Sequence, residues 1–468
     1  MTRTGTASET IAEFAVGFDR ARMSAATLRQ CGRALADTLA VGIAGLAEPS
    51  VRQALRYVEG SAPQVDGGNG RPASARLWGT GRTAPIEMAA LFNGISAHVL
   101  DFDDASSPMS GHPSVALLPA LVALAEARDI EGLRLASAYV VGFEICCKIG
   151  RALNLTHYAR GWHMTSSVGT IAAAAACGHL LGLDAARIVH AIGLAVAQTG
   201  GTRENFGTDA KSFQAGQCNA AALRAVLLAE QGFTAAPTAL DGEAGYTALY
   251  SKGEDISAAL MGLGRGPLEI DSSGIEVKKY PACYGIHRPL DGLFALRQTH
   301  SLTMDDIERI EVETSYGALA PLVPHVPRSG TEGKFSMQYT LAAAIADGEV
   351  RLASFTDEAV ARPALRGLMA RISAQEVSDQ MVPRWAWITV RLKNGEVLRQ
   401  RVDELHGSPH SPLSDAELLT KISDCVSWGG RSIDPLALFQ AAMQLGTHRV
   451  RDILTAAERP VPTTSKVP

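Results

Sequence analysis

The stretch HVLDFDDASSPMSGHPS, residues 98–114, gathers His98, Asp101, Asp103, Asp104 and His112 within fifteen residues. A carboxylate beside an imidazole fixes the ring and raises its basicity, which general acid–base chemistry uses. If the preceding helix runs on, His98, Asp101 and Asp104 share one face by i, i+3 spacing, and Asp103 points elsewhere. A solvated acidic helix end would hold the same residues, but acids at a helix C-terminus oppose the macrodipole and need something to stabilise them. Asp101, Asp104 and His112 are also ligand types. A metal-dependent lyase or hydrolase is therefore another reading, without an HExxH or comparable signature behind it.

Four more stretches carry candidate groups. GWHMTSS (161–167) sets His163 ahead of a Gly/Ala-rich helix. The helix dipole there keeps an imidazole neutral, as a proton carrier needs, and a satisfied buried histidine suits the position equally. ENFGTDAKSFQAG (204–216) places Lys211 at a helix start. An anion such as a substrate carboxylate would relieve it, and so would solvent. VKKYPACYGIHRPLDG (277–292) brings Lys278 and Lys279 to a domain junction. Clefts form at such junctions, paired lysines suit anion capture, and Cys283 reads as packing. KFSMQYT (334–340) spaces Phe335 and Tyr339 four apart on a helix. One aromatic belongs to a core, and Tyr339 could reach the cleft as a phenol donor.

The elements that must position these groups divide at about residue 274. Before it, helical patterns run over 27–47, 87–100, 114–128, 131–153, 185–199 and 212–231, with Asp184 as an N-cap and Gly200–Gly201 and Gly232 as stops. They are dense in Ala, Gly, Ser and Cys, which predicts a tightly packed all-α core. After it, IERIEVET (307–314) alternates with period two. WAWITVRLKNGEVLRQRV (385–402) alternates on both sides of Asn394–Gly395, a hairpin signal. Helical patterns lie between, over 338–347 and 357–372, and a helix returns after 407–412 with Ser414 or Asp415 as N-cap. The fold is therefore expected to be mainly α. Residues 1–273 form a large helical domain, 274–409 an inserted α+β domain, and 410–468 a return to the helical domain with a disordered tail from Pro460.

Composition narrows the function class. The 468 residues are 46% hydrophobic and 19% charged, with a net charge of -5 and no basic stripe, so no nucleic-acid partner is expected. Seven cysteines, an odd number without a CxxC or zinc spacing, read as buried free thiols of a cytoplasmic protein. The N-terminus shows no signal-peptide core. The uncharged run 161–183 is rich in Ala and Gly and reads as a buried helix, so no membrane partner is expected. No GxGxxG after a strand, Walker loop or GxSxG occurs, and nothing calls for an organic cofactor.

In their order along the chain, HVLDFDD, GHPS, GWHMTSSVGT, GTDAKSFQAG, GFTAAPTALDGEAGY, KKYPACYGIHRPLDG and KFSMQYT with DGEV resemble the MmgE/PrpD family over about residues 8–440. The family includes 2-methylcitrate dehydratase, cis-aconitate decarboxylase and iminodisuccinate epimerase. The resemblance implies a helical domain with a smaller lid, a site between them, a homodimer and no cofactor. It implies site roles for Asp101, His112, His163, Lys211, Lys278 and Tyr339. Where dehydratase and decarboxylase members carry Thr-Trp after the acidic run, this chain has Ala105–Ser106, and the SSPMSG loop looks closer to the epimerase branch.

The expectation is a cofactor-free enzyme that moves a proton next to a carboxylate of a small di- or tricarboxylate. Lys211 and Lys278 would stabilise the enediolate, and His112 and His163 would be the acid–base pair. Asp101 would orient an imidazole, and Tyr339 would close the site from the lid. The loop leans the reaction toward an epimerase. A 2-methylcitrate dehydratase or cis-aconitate decarboxylase type of lyase is the alternative, and a silent carboxylate binder is a further one.

Overall fold

Small residues decide how closely these helices approach, and one crossing governs the site. A Cβ on Gly216 would lie 2.4 Å from the Leu91 carbonyl oxygen, and one on Gly94 would lie 2.7 Å from the Gly216 Cα. The helices Ile86–His98 and Asp209–Glu230 therefore touch backbone to backbone. That contact brings the last turn of the first helix, with His98, against the first turns of the second, with Lys211 and Gln214. The computed structural model describes residues 5–61, 74–153, 156–380 and 383–461.

The chain is mainly α, a large helical domain with a smaller α+β domain. The helices Ala25–Gly45, Pro113–Ala127, Gly132–Leu153, Gly169–Leu181 and Ala185–Val196 join the two above in one buried core. The helices Asp415–Trp428, Pro435–Ala442 and Val450–Ala457 return to it from the C-terminal segment. Asp184 and Ser414 cap their helices as expected, Ser414 in a capping box with Glu417. Pro119, inside Pro113–Ala127, has no N–H to give the Val115 carbonyl. The buried Asn219 amide donates to that carbonyl at 2.8 Å and accepts from Ala120 N at 2.9 Å, so the proline leaves no orphaned group. The uncharged run 161–183 folds into a short turn, Met164–Ser167, and the helix Gly169–Leu181. Residues 164–181 are apolar enough to cross a membrane by length and composition, and 89% of that window is buried inside the protein.

Strands β1 (Ser74–Leu77) and β2 (Arg82–Pro85) form a small hairpin on the helical domain. The smaller domain has β3 (Ile307–Thr314), β4 (Ile372–Glu376), β5 (Ala386–Leu392) and β6 (Val397–Val402), in the order β4-β3-β5-β6. β3 and β4 are parallel, and the other pairs are antiparallel. Gly395 takes φ 89° at the turn between β5 and β6, as its hairpin sequence requires. The helices Tyr284–Thr299 and Met337–Asp347 pack with this sheet in a second buried core. The chain enters and leaves at one place, where Val277 N donates to Gly407 O at 2.8 Å.

Two expectations change. The helix read over 357–372 is two short helices, Asp357–Val360 and Pro363–Met369, and Ile372 opens β4. Pro363 disfavours helical backbone at Arg362, which breaks the run. The tail expected to be disordered from Pro460 is placed at its start, because Pro460 pairs with Ile433 and Val461 N donates to Ser432 O. Residues 462–468 lie outside the described residues.

Gly216→Ala should lower the stability of the fold through overpacking, by about 1–3 kcal/mol. Gly60→Ala, in a helix and with nothing among the described residues within 4 Å of the new methyl group, should raise it slightly, by about 0.5–1 kcal/mol. Paired thermal melts check both signs.

Candidate active site

The helix carrying His98 ends there, and Val99 is its C-cap. Asp101 then adopts φ 52°, a left-handed conformation that Asp tolerates better than most residues. This reversal gives the three acids three different partners. Asp101 Oδ1 accepts from Lys211 Nζ at 2.5 Å, and Asp101 Oδ2 accepts from Lys278 Nζ at 2.9 Å. Lys278 also donates to the Asp101 carbonyl at 2.7 Å. Burial alone would raise the Asp101 pKa, but the two ammonium groups outweigh it and hold the carboxyl far below its usual range. Burial would likewise weaken the Lys211 charge, and Asp101 more than restores it. Phe206 and Phe335, one from each domain, stand 5.5 and 5.8 Å from the Lys211 ammonium.

Asp103 serves the imidazoles. His98 Nδ1 lies 2.8 Å from Asp103 Oδ2, and His112 Nδ1 lies 3.2 Å from the same oxygen. His112 Nδ1 also faces the Asp104 carbonyl at 2.8 Å. Burial opposes the Asp103 charge, but His112 and His98 keep its carboxyl well below the ordinary value. An ionised carboxylate only accepts, so both Nδ1 atoms carry hydrogen. Asp104 accepts from Ser114 N at 3.2 Å and from the Ser114 hydroxyl, which also meets the Tyr139 hydroxyl at 2.6 Å. Burial pushes the Asp104 carboxyl up to about 8. The loop is fastened from the C-terminal segment as well. Lys421 donates to the Phe102 carbonyl at 2.9 Å and pairs with Asp37 at 2.7 Å.

His163 repeats the tautomer by another route. Gln214 Nε2 donates to Thr202 O at 3.1 Å, so its Oε1 must accept from His163 Nδ1, at 2.7 Å. His163 Nε2 is buried without a partner among the described residues. Burial, with help from His98 and Lys211, holds the ring neutral far below its usual pKa. His112 is fixed at its backbone too, where its N–H donates to Thr165 Oγ1 at 3.2 Å.

A cavity of about 160 Å³ between the two domains is lined by Asp101, His112, His163, Lys211 and Lys278. Five of the six residues singled out from the sequence thus meet on one wall. Tyr339 does not. It is fully buried in the smaller domain's core, its hydroxyl donates to Ser354 O, and its ring packs against Phe355. Helical spacing alone could not tell which aromatic faced the cleft, and Phe335 is the one that lines it. The smaller domain's phenols at the cavity are Tyr284 and Tyr316. Cys283 also lines it, but burial and Asp101 push its thiol up to about 11, which keeps it protonated.

The geometry corrects three further expectations. Asp101 does not orient an imidazole. His112 Nε2 is 3.9 Å away, and Asp103 holds the rings instead. The helix-face pairing of His98 with Asp101 and Asp104 fails because the helix stops at His98 and the chain folds Asp103 back onto it. Nor do Asp101, Asp104 and His112 converge as a ligand set, since Asp101 is taken by the lysines and Asp104 by Ser114. Sequence reasoning passed over Gln214, whose place three residues after Lys211 on the same helix was a usable signal. It also passed over Glu276, Arg384 and Thr165, cavity residues from loops or a turn, which no periodicity marks.

Asp101→Asn should destabilise the fold by about 3–5 kcal/mol, because it leaves two buried ammonium groups without a counter-charge. The native contribution of Asp101 is present above its ordinary unfolded pKa and fades as pH falls toward the depressed folded value. Asp104 has the opposite sign. Its contribution is complete below the unfolded pKa and is lost as pH rises through about 8. Asp104→Asn should therefore gain stability relative to the parent between pH 6 and about pH 9. Thermal midpoints across that range check both.

Known proteins place this arrangement in a lineage. The chain is 29% identical to human cis-aconitate decarboxylase over 426 residues, 86% of this chain and 84% of the relative. It is 29% identical to the mouse enzyme over 419 residues, 84% of this chain and 81% of the relative. It is 26% identical to the cis-aconitate decarboxylase of Aspergillus terreus over 335 residues, 66% and 67% of the two chains. The MmgE/PrpD N-terminal domain model matches residues 9–259, and the C-terminal domain model matches 280–432. With both of its domains accounted for in order, this chain belongs to the MmgE/PrpD family.

Proposed function

We propose that this protein is a lyase that decarboxylates a small unsaturated tricarboxylate of the cis-aconitate type. The observation that carries the reading is the pair of lysines on Asp101 at the wall that also bears His112 and His163. The names of its curated relatives support the lyase over the epimerase that the loop 106–111 suggested.

In such a substrate the departing carboxylate sits on a carbon next to the double bond. Its C–C bond breaks and carbon dioxide leaves. The electron pair forms a new terminal double bond, and the old π pair moves to the carbon beside a second carboxylate. That carbon takes one proton. The charge develops as an enediolate, and preorganised cations stabilise it more than they stabilise the ground state. Lys211 and Lys278 supply those cations, already desolvated by burial and paired with Asp101. His112 delivers the proton. Its Nδ1–H is held by Asp103 Oδ2 and Asp104 O, which leaves Nε2 toward the cavity. The Asp103 carboxylate beside the ring balances the charge that His112 carries whenever it holds both protons. His163, held neutral, offers Nε2 as an acceptor.

Two imidazoles lining one cavity would also serve two-sided proton exchange, so the epimerase remains the second reading. Proton NMR in deuterated water separates them. With cis-aconitate, the lyase should give a terminal methylene signal, loss of one carboxylate and one deuterium in the product. Lys211→Met should lower kcat/KM by at least about a hundredfold. His112→Gln should lower it by about 10²–10⁴. Deuterium exchange into iminodisuccinate next to a carboxylate, with the skeleton intact and cis-aconitate untouched, would replace the lyase by the epimerase.

A further inference from the structure

His98 is not needed by the reaction above, yet the structure places it with care. It is 1% exposed, and its ring lies 4.8 Å from His112, edge to face, and 5.7 Å from His163, stacked. It stands at the last position of its helix, where a cationic histidine would favour the dipole. Burial lowers its pKa to about 4, so at neutral pH it carries no charge to offer the dipole. Its Nδ1 hydrogen goes to Asp103 Oδ2, and its Nε2 is buried without a partner among the described residues. A ring kept only to fill space or to cap a helix would not need that one directed bond.

The bond matters because of where it lands. Asp103 Oδ2 is the same oxygen that faces His112 Nδ1, and Asp103 Oδ1 is buried with no hydrogen-bond partner among the described residues. Both imidazoles therefore bear on one atom: His98 Nδ1 donates to it at 2.8 Å, and the His112 Nδ1–H, directed chiefly at Asp104 O at 2.8 Å, approaches it at 3.2 Å. Each hydrogen bond an oxygen accepts reduces what it can give to the next donor. Loss of the His98 donor would leave a stronger acceptor against His112 and a buried carboxylate free to swing.

We propose that His98 is a positioning residue that, through the shared Asp103 oxygen, sets the orientation of His112 and the strength with which its Nδ1 proton is held. The inference rests on the reading of His112 as the proton donor. His98 touches no substrate. It keeps Asp103 aimed and moderates its pull, so that His112 can release a proton from Nε2 without binding it too tightly.

Two substitutions test this. His98→Phe keeps a ring and removes the donor. His98→Asn carries an amide nitrogen near the place of Nδ1 and keeps the donor. Imidazole N–H resonances of the full-length protein, assigned by their loss in His112→Gln, report the His112 bond without substrate. In His98→Phe the His112 Nδ1–H signal should move downfield, and in His98→Asn it should stay near its parent position. On cis-aconitate, His98→Phe should lose about tenfold or more in kcat, a part of what a positioned acid contributes. KM should change less than about twofold, since the lysines that hold substrate are untouched. His98→Asn should recover most of the rate. The inference is overturned if folded His98→Phe leaves both the resonance and kcat unchanged, or if His98→Asn is as impaired as His98→Phe. If the parent protein leaves cis-aconitate unreacted, the lyase reading fails, and the resonances still decide the role of His98.

Discussion

One buried carboxylate carries two ammonium groups, and the rest of the site follows from it. Two lysines at a cavity wall would repel each other and shed their charge to burial. Asp101 prevents both outcomes by taking one lysine on each oxygen. Breaking such a triad is expensive and building it brings little net stability, so its value lies in function. It keeps two desolvated positive charges fixed before any ligand arrives, which is the preorganisation that electrostatic catalysis requires.

The triad also ties the two domains together. Lys211 belongs to the helix that crosses its neighbour at Gly94 and Gly216, and Lys278 lies one residue past Val277, where the chain passes between the domains. Lys421 adds the returning C-terminal helix by holding the Phe102 carbonyl. A short acidic loop is therefore the point on which three distant segments converge. Asp103 and Asp104 divide the remaining work, one holding imidazoles and the other closing the start of the helix Pro113–Ala127.

Much of this was legible in the sequence, and the limits have physical causes. Local signals sufficed wherever a cap or turn residue acts on its own neighbours, as Asp184, Ser414 and Asn394–Gly395 do. The short strands β1, β2 and β4 gave no alternation long enough to read. Asp101, His112, His163, Lys211 and Lys278 were found by type and motif, but the partner of each acid was not. That partner depends on Asp101 turning left-handed, and the contact that secures it spans 177 residues to Lys278. Tyr339 shows the same limit from the other side. An aromatic at helical spacing tells that a face is apolar, and only the packing of Ser354 and Phe355 tells that this ring is inside it.

The central claim is that Lys211 and Lys278 wait, charged, for a carboxylate. Calorimetric binding of propane-1,2,3-tricarboxylate, a saturated analogue that cannot follow the decarboxylation path, tests it most directly. The account predicts that the parent protein binds the analogue and that Lys278→Met weakens binding by at least about tenfold, or 1.4 kcal/mol. Equal affinity in a folded Lys278→Met protein would contradict it.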